Sequence, residues 1–125
     1  MLGSDNLNAE NIEKLEKEIS LLRHLPQKRY FTNIVDVIDK DGRLNVVTET
    51  IRTPLSEVLK SHFPVGCSLK FASTIMSDVC RIVKKMHCAG VVHREIIQEV
   101  IGLRESKSGS FRAYKLGGFD CAQIL

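Results

Sequence analysis

The sequence predicts an α+β fold. Three observations carry that expectation: apolar residues recur at helical spacing over 12–22 and again over 72–86, an alternating stretch doubles back at Asp41-Gly42, and the last third breaks into short strand-like pieces around a polar turn. At 125 residues, 43% hydrophobic and 26% charged, the chain has material for one modest core and for one domain, or part of one.

The first helix is marked by Ile12, Leu15, Ile19 and Leu22, whose three- and four-residue spacing puts them on one stripe. Glu10 with Lys14 and Glu13 with Lys17 supply exposed pairs, acid on the N-terminal side, and Pro26 ends the run. Residues 34–38 then alternate, and the run 44–48 returns after Asp41-Gly42, so a two-stranded hairpin follows. Thr53 before Pro54 reads as a cap and first helical residue, opening a short helix through Lys60. Ser68 caps a longer helix whose Ala72, Ile75, Met76, Val79, Ile82, Val83 and Met86 form its apolar face, and Gly90 stops it. Strand-like pieces follow at 91–92, 100–103 and 111–116, the last two joined by the polar turn 104–110.

Composition excludes several classes. No apolar run approaches the ~20 residues that cross a bilayer, and MLGSDNLNAE lacks the features of a secretory signal, so the expected compartment is the cytoplasm. Four cysteines without paired spacing (Cys67, Cys80, Cys88, Cys121) read as buried, reduced thiols. A net charge of +3, with Lys and Arg dispersed, gives no basis for a nucleic-acid partner.

The order of these elements brings a family into view. HRE at 93–95 resembles the HRD triplet of the protein-kinase catalytic loop, Glu18 falls where helix C carries its glutamate, NIVDVIDKDGRLNVVTE is similar to strands four and five, and KLGGFDCA at 115–122 is similar to the strand and turn bearing DFG. The chain therefore resembles a partial eukaryotic protein kinase domain over 8–125. The resemblance implies helix C, strands four and five, helices D and E, the catalytic loop and the strand seven–eight hairpin, with the end of the small lobe at 8–50 and the start of the large lobe at 51–125. It also implies that the glycine-rich loop, the lysine strand and the activation segment fall outside this sequence.

Carried over residue by residue, the resemblance implies a stripped site. Glu95 stands for the catalytic-loop aspartate, with His93 and Arg94 before it. Ile97 replaces the lysine that neutralises the transferred phosphoryl group, and Val100 replaces a magnesium-binding asparagine. Gly118 takes the place of the DFG aspartate, and Asp120 that of its glycine; recruiting Asp120 as the metal ligand needs a two-residue slip that displaces Phe119. Hard cations need oxygen ligands, so no metal and no magnesium-dependent nucleotide are expected, and at most weak ATP binding without magnesium. Thr48, Glu49 and Ile51 match the gatekeeper and hinge, while Gly102 stands where a bulky residue floors the purine.

Plainer readings stand beside these. His93 packs in a spine with Leu22, Val37 and Phe119 more readily than it acts as a base, and Glu18 serves equally as a surface charge. His87, Cys88 and His93 fit no common zinc spacing. Residues 103–119, with Gly-Gly-Phe, are similar to the calcium/calmodulin-dependent group and its CASK-type pseudokinase domains, which implies other proteins, in scaffolding or signalling, as partners, and attachment at the membrane periphery through them. Three functional classes remain open: a pseudokinase binding module, part of an ATP-binding serine/threonine kinase, and a truncated product without independent function.

Overall fold

The computed structural model describes residues 9–125, with side chains from Ile12 onward. The MLGSDNLNAE expectation and the Glu10 half of the Glu10–Lys14 pair lie outside the described side chains. Helix α1 (Ala9–His24) leads through a 3-10 turn at Lys28–Tyr30 to the antiparallel hairpin β1 (Ile34–Lys40) and β2 (Arg43–Thr48). Helices α2 (Leu55–His62) and α3 (Leu69–Cys88) follow. The short β3 (Val91–Val92) pairs with β6 (Gln123–Ile124), and between them β4 (Ile101–Glu105) pairs with β5 (Phe111–Leu116). Helices and two-stranded sheets thus share one chain, as an α+β fold requires.

Local chemistry explains most boundaries. The Ser68 hydroxyl accepts the Phe71 amide at 3.1 Å and caps α3, which would otherwise leave that donor unpaired at its first turn. Asp41 and Gly42 both take positive φ, 54° and 73°, the geometry a tight two-residue hairpin demands. The expected Thr53 cap is corrected by one residue: Pro54 is the cap position, in extended geometry without a side-chain hydrogen bond, and Leu55 opens α2. The Thr53 carbonyl instead accepts the Leu103 amide at 2.8 Å, which ties this connection to β4.

The core lies where α1, α3 and the β4–β5 hairpin meet. Leu21, Leu22 and Leu25 enter from α1, Ile75, Val79, Ile82 and Met86 from α3, and Leu103, Phe111, Ala113 and Leu116 from the hairpin. Met76, expected on the apolar face, is 59% exposed, because the buried stripe runs through Ile75, Asp78, Val79 and Ile82 and turns Met76 outward. The cysteine expectation is corrected too: all four are free thiols, but Cys67, Cys80 and Cys88 are exposed and Cys121 is half-buried. Cys80 and Cys88 are missing from the buried positions of α3, and Cys67 sits in the loop ahead of it. Among the described residues no helix is long and apolar enough to cross a membrane.

Candidate functional site

Residues 93–100 and 117–121 face each other between β3 and the end of β5. His93 is buried, and both ring nitrogens are engaged: Nε2 meets the Gly117 carbonyl at 2.6 Å, and Nδ1 meets the Glu95 amide at 3.1 Å. An amide can only donate, so Nδ1 accepts and Nε2 carries the proton that Gly117 receives. That fixes a neutral tautomer and occupies the two atoms a general base would use. The ring also lies 5.1 Å from Phe119, whose other described ring neighbour is Phe31 at 5.9 Å, edge-on. The expected spine is corrected in one member: Leu22 and Phe119 are in the buried cluster, but Val37 is half-buried and outside it, and Phe31, just after the 3-10 turn, is the buried ring that packs on Phe119.

Arg94 adopts φ 72°, a left-handed conformation that costs a branched-out side chain roughly 1 kcal/mol or more. Its Nε donates to the Cys121 carbonyl at 2.7 Å, and the Cys121 thiol donates to Glu95 Oε2 at 3.1 Å. Glu95 is thus an exposed carboxylate tied to the 3-10 turn Phe119–Cys121. The hydrogen bond to Glu95, then the charge of that carboxylate, pushes the Cys121 thiol above its ordinary range. Glu95, Asp120 and Cys121 bring one donor atom each to within 4.8 Å of the others.

Val100 and Gly118, which the resemblance sets where kinases carry metal ligands and at which no metal is expected, pack on each other. Gly118 has φ 69°, and a Cβ built there would fall inside the van der Waals shell of Val100 Cγ1. A side chain at 118 is thus excluded twice, by the backbone conformation and by the isopropyl group opposite. The Gly117 amide closes the contact by donating to the Val100 carbonyl at 2.9 Å. Ile97, at the expected lysine position, is an exposed apolar side chain.

The positions that the resemblance matches to the hinge are also closely packed. Ile51 lies against two glycines: a Cβ on Gly117 would stand 2.9 Å from its Cδ1, and one on Gly102 3.3 Å from its Cγ2. Ile51 fills the space beside Gly102. Glu49 pairs with Lys115 Nζ at 2.8 Å and accepts the backbone and side-chain amides of Asn33 at 2.8 and 2.7 Å. Burial pulls its carboxyl upward, but the Lys115 and Asn33 hydrogen bonds outweigh it and hold Glu49 below the usual range. Thr48 is half-buried at the end of β2, paired in register with Ile34. Glu18 is half-buried on α1, and burial, then the neighbouring Asp120 carboxylate, raises its pKa.

The structure brings His93, Arg94, Glu95 and Gly118 together around 117–121; Thr48, Glu49 and Ile51 gather at the start of the connection to α2. His87 and Cys88 are exposed at the end of α3, whereas His93 is buried with its nitrogens engaged. Sequence reasoning missed Asp78. It is 1% exposed and accepts Arg112 Nε and Nη2 at 2.8 and 2.6 Å, Arg81 at 3.0 Å and the Ala113 amide at 3.1 Å. The Arg112 hydrogen bonds, against burial, keep its carboxyl below the usual range. Its signal was present: an acid three residues after Ile75 and four before Ile82 sits on the buried stripe and must find cations.

No family model matches the chain. Over 111 residues, 87% of its length, it is 31% identical to ribosomal protein S6 kinase 2 alpha of Xenopus laevis, 29% to that of Gallus gallus and 28% to ribosomal protein S6 kinase 2 beta of Xenopus laevis. It spans only 14–17% of the length of these relatives. The chain is thus similar to a short stretch of serine/threonine protein kinases and is kinase-like over that stretch.

Proposed function

We propose that this chain is a segment of a protein-kinase-like protein that does not carry out magnesium-dependent phosphoryl transfer and acts by binding other proteins. The observation that carries the reading is the Val100–Gly118 contact. Phosphoryl transfer relies on metal and cationic neutralisation of the phosphates, and an apolar pair occupies the two positions from which oxygen ligands would come. Ile97 and the neutral, fully bonded His93 agree with it. The Gly-Gly-Phe of 117–119 supports a CASK-type affiliation in the calcium/calmodulin-dependent group, and free thiols agree with a cytoplasmic setting.

Thermal denaturation with ATP, with and without magnesium, tests the nucleotide half. A productive ligand at 100 times its Kd adds about 2.7 kcal/mol of stability. The expected result is no magnesium-dependent shift and no label transfer to a substrate protein; a large magnesium-dependent shift with transfer overturns the reading. A second reading, part of an ATP-binding serine/threonine kinase, is favoured by the exposed Glu95 carboxylate and by the names of the similar proteins.

A further inference from the structure

Lys and Arg are scattered through the sequence, but the fold gathers six of them on one face. Two grooves lie side by side where the C-terminal half of α3 meets the turn at 28–30 and the β4–β5 hairpin, and they share Arg81. Lys84 and Lys85 edge one groove; Arg29, Arg104 and Arg112 edge the other. Among the described residues the carboxylate bonded to any of these six is Asp78, buried beneath and divided between Arg81 and Arg112. One carboxylate against six cations leaves a local excess greater than the +3 of the whole chain.

Two features of this face say what it fits. Arg81 and Arg112 are about half exposed while one edge of each is tethered to Asp78, so their free N–H groups point outward with less rotamer freedom left to lose on binding. Guanidinium forks of this kind suit carboxylates. The aromatic rings are already capped: the Tyr30 ring has Arg29 at 4.7 Å and Lys85 at 5.1 Å, and the Tyr114 ring has Arg104 at 5.6 Å. Single-stranded nucleic acid gains much of its affinity by stacking bases on open aromatic faces, and here cations take that place. Grooves with tethered cations also favour a narrow chain over a flat bilayer.

We propose that this face docks an acidic, carboxylate-rich segment of a partner protein. The proposal rests on the protein-binding half of the function proposed above and is independent of its nucleotide half. It is tested by fluorescence anisotropy of a short labelled peptide of alternating glutamate and serine, titrated with the whole chain at an ionic strength of about 0.05 M, where screening is weak. Saturable binding is expected, weakened about tenfold in Lys84→Glu/Arg104→Glu, since neither residue bonds Asp78, and unchanged within about twofold in Lys14→Glu/Lys40→Glu. Circular dichroism confirms that both variants fold. Absence of saturable binding, or equal loss in the two variants, overturns the surface and leaves the magnesium–ATP result untouched. Tighter binding of single-stranded RNA or of phosphatidylserine vesicles than of the peptide overturns the choice of a protein segment.

Discussion

The α3–β5 junction and the 93–100/117–121 loops stand in contrast. At the junction a charged group is buried and every bond it needs is supplied: Asp78 accepts from two arginines and a backbone amide. At the loops the side chains are apolar or missing: Val100 lies against Gly118, and Ile97 is in solvent. Both regions sit beside β5, so the difference is not one of exposure to the same core. Where an ionic group holds two elements together, it is kept with its partners. In the loops, hydrocarbon and bare backbone face each other.

The largest expected effect is at the junction. Asp78→Ala should cost about 3 kcal/mol, the low end for breaking a buried pair because both arginines can return to water. The Ala113 amide would also lose its acceptor. Urea denaturation measures it, and a cost under about 1 kcal/mol would erase the contrast. The pH dependence has a definite sign. The folded-state pKa of Asp78 is depressed, so its contribution is present above the unfolded value near 3.9 and fades as pH falls through the lower folded value. Asp78→Ala should flatten that acid limb.

Next comes Gly118→Asp, expected to lose about 2 kcal/mol from positive φ and the clash with Val100. Val100→Ala in the same chain should return part of that loss. Strict additivity of the two changes in a double-mutant cycle would mean that they do not share a contact.

Smallest is Glu18→Gln. The folded pKa of Glu18 is raised, so below the unfolded value both states are protonated and nothing is lost. As pH rises, the unfolded chain ionises first and the fold becomes less stable. With Glu18 half exposed, the variant should gain no more than about 0.5 kcal/mol at pH 7 after solvent screening, and nothing below about pH 4. A gain that persists at low pH would point to packing as its source.

Most of the framework was legible because its signals are local. Helical periods in α1 and α3, the Asp41-Gly42 turn and the Ser68 cap each reside within a few residues, and the structure places them there. The boundary of α2 moved because Thr53 spends its carbonyl on Leu103, a partner 50 positions away that no local pattern announces. Phe31 in the spine, Ile51 against Gly102 and Gly117, and Glu49 with Lys115 are likewise long-range pairs. The apolar residue at 100 and the glycine at 118 could be read from the sequence alone. That Val100 and Gly118 fill each other's space could not, because complementarity of shape has no signature in either segment.

The Ile51 contact bears on motion. A connection between two parts of a chain can swing only if its side chains are free to slide, and Ile51 is keyed against two glycines, Gly102 on β4 and Gly117 just after β5. The carbonyl of Thr53, two residues on, is pinned to Leu103, and the amide of Glu49, two residues before, is pinned to Asn33. Segment 49–53 is therefore riveted at three points, and rotation about it would have to break two hydrogen bonds and lift an isoleucine from its seat. Those contacts resist a swing of the surfaces on either side of the stretch.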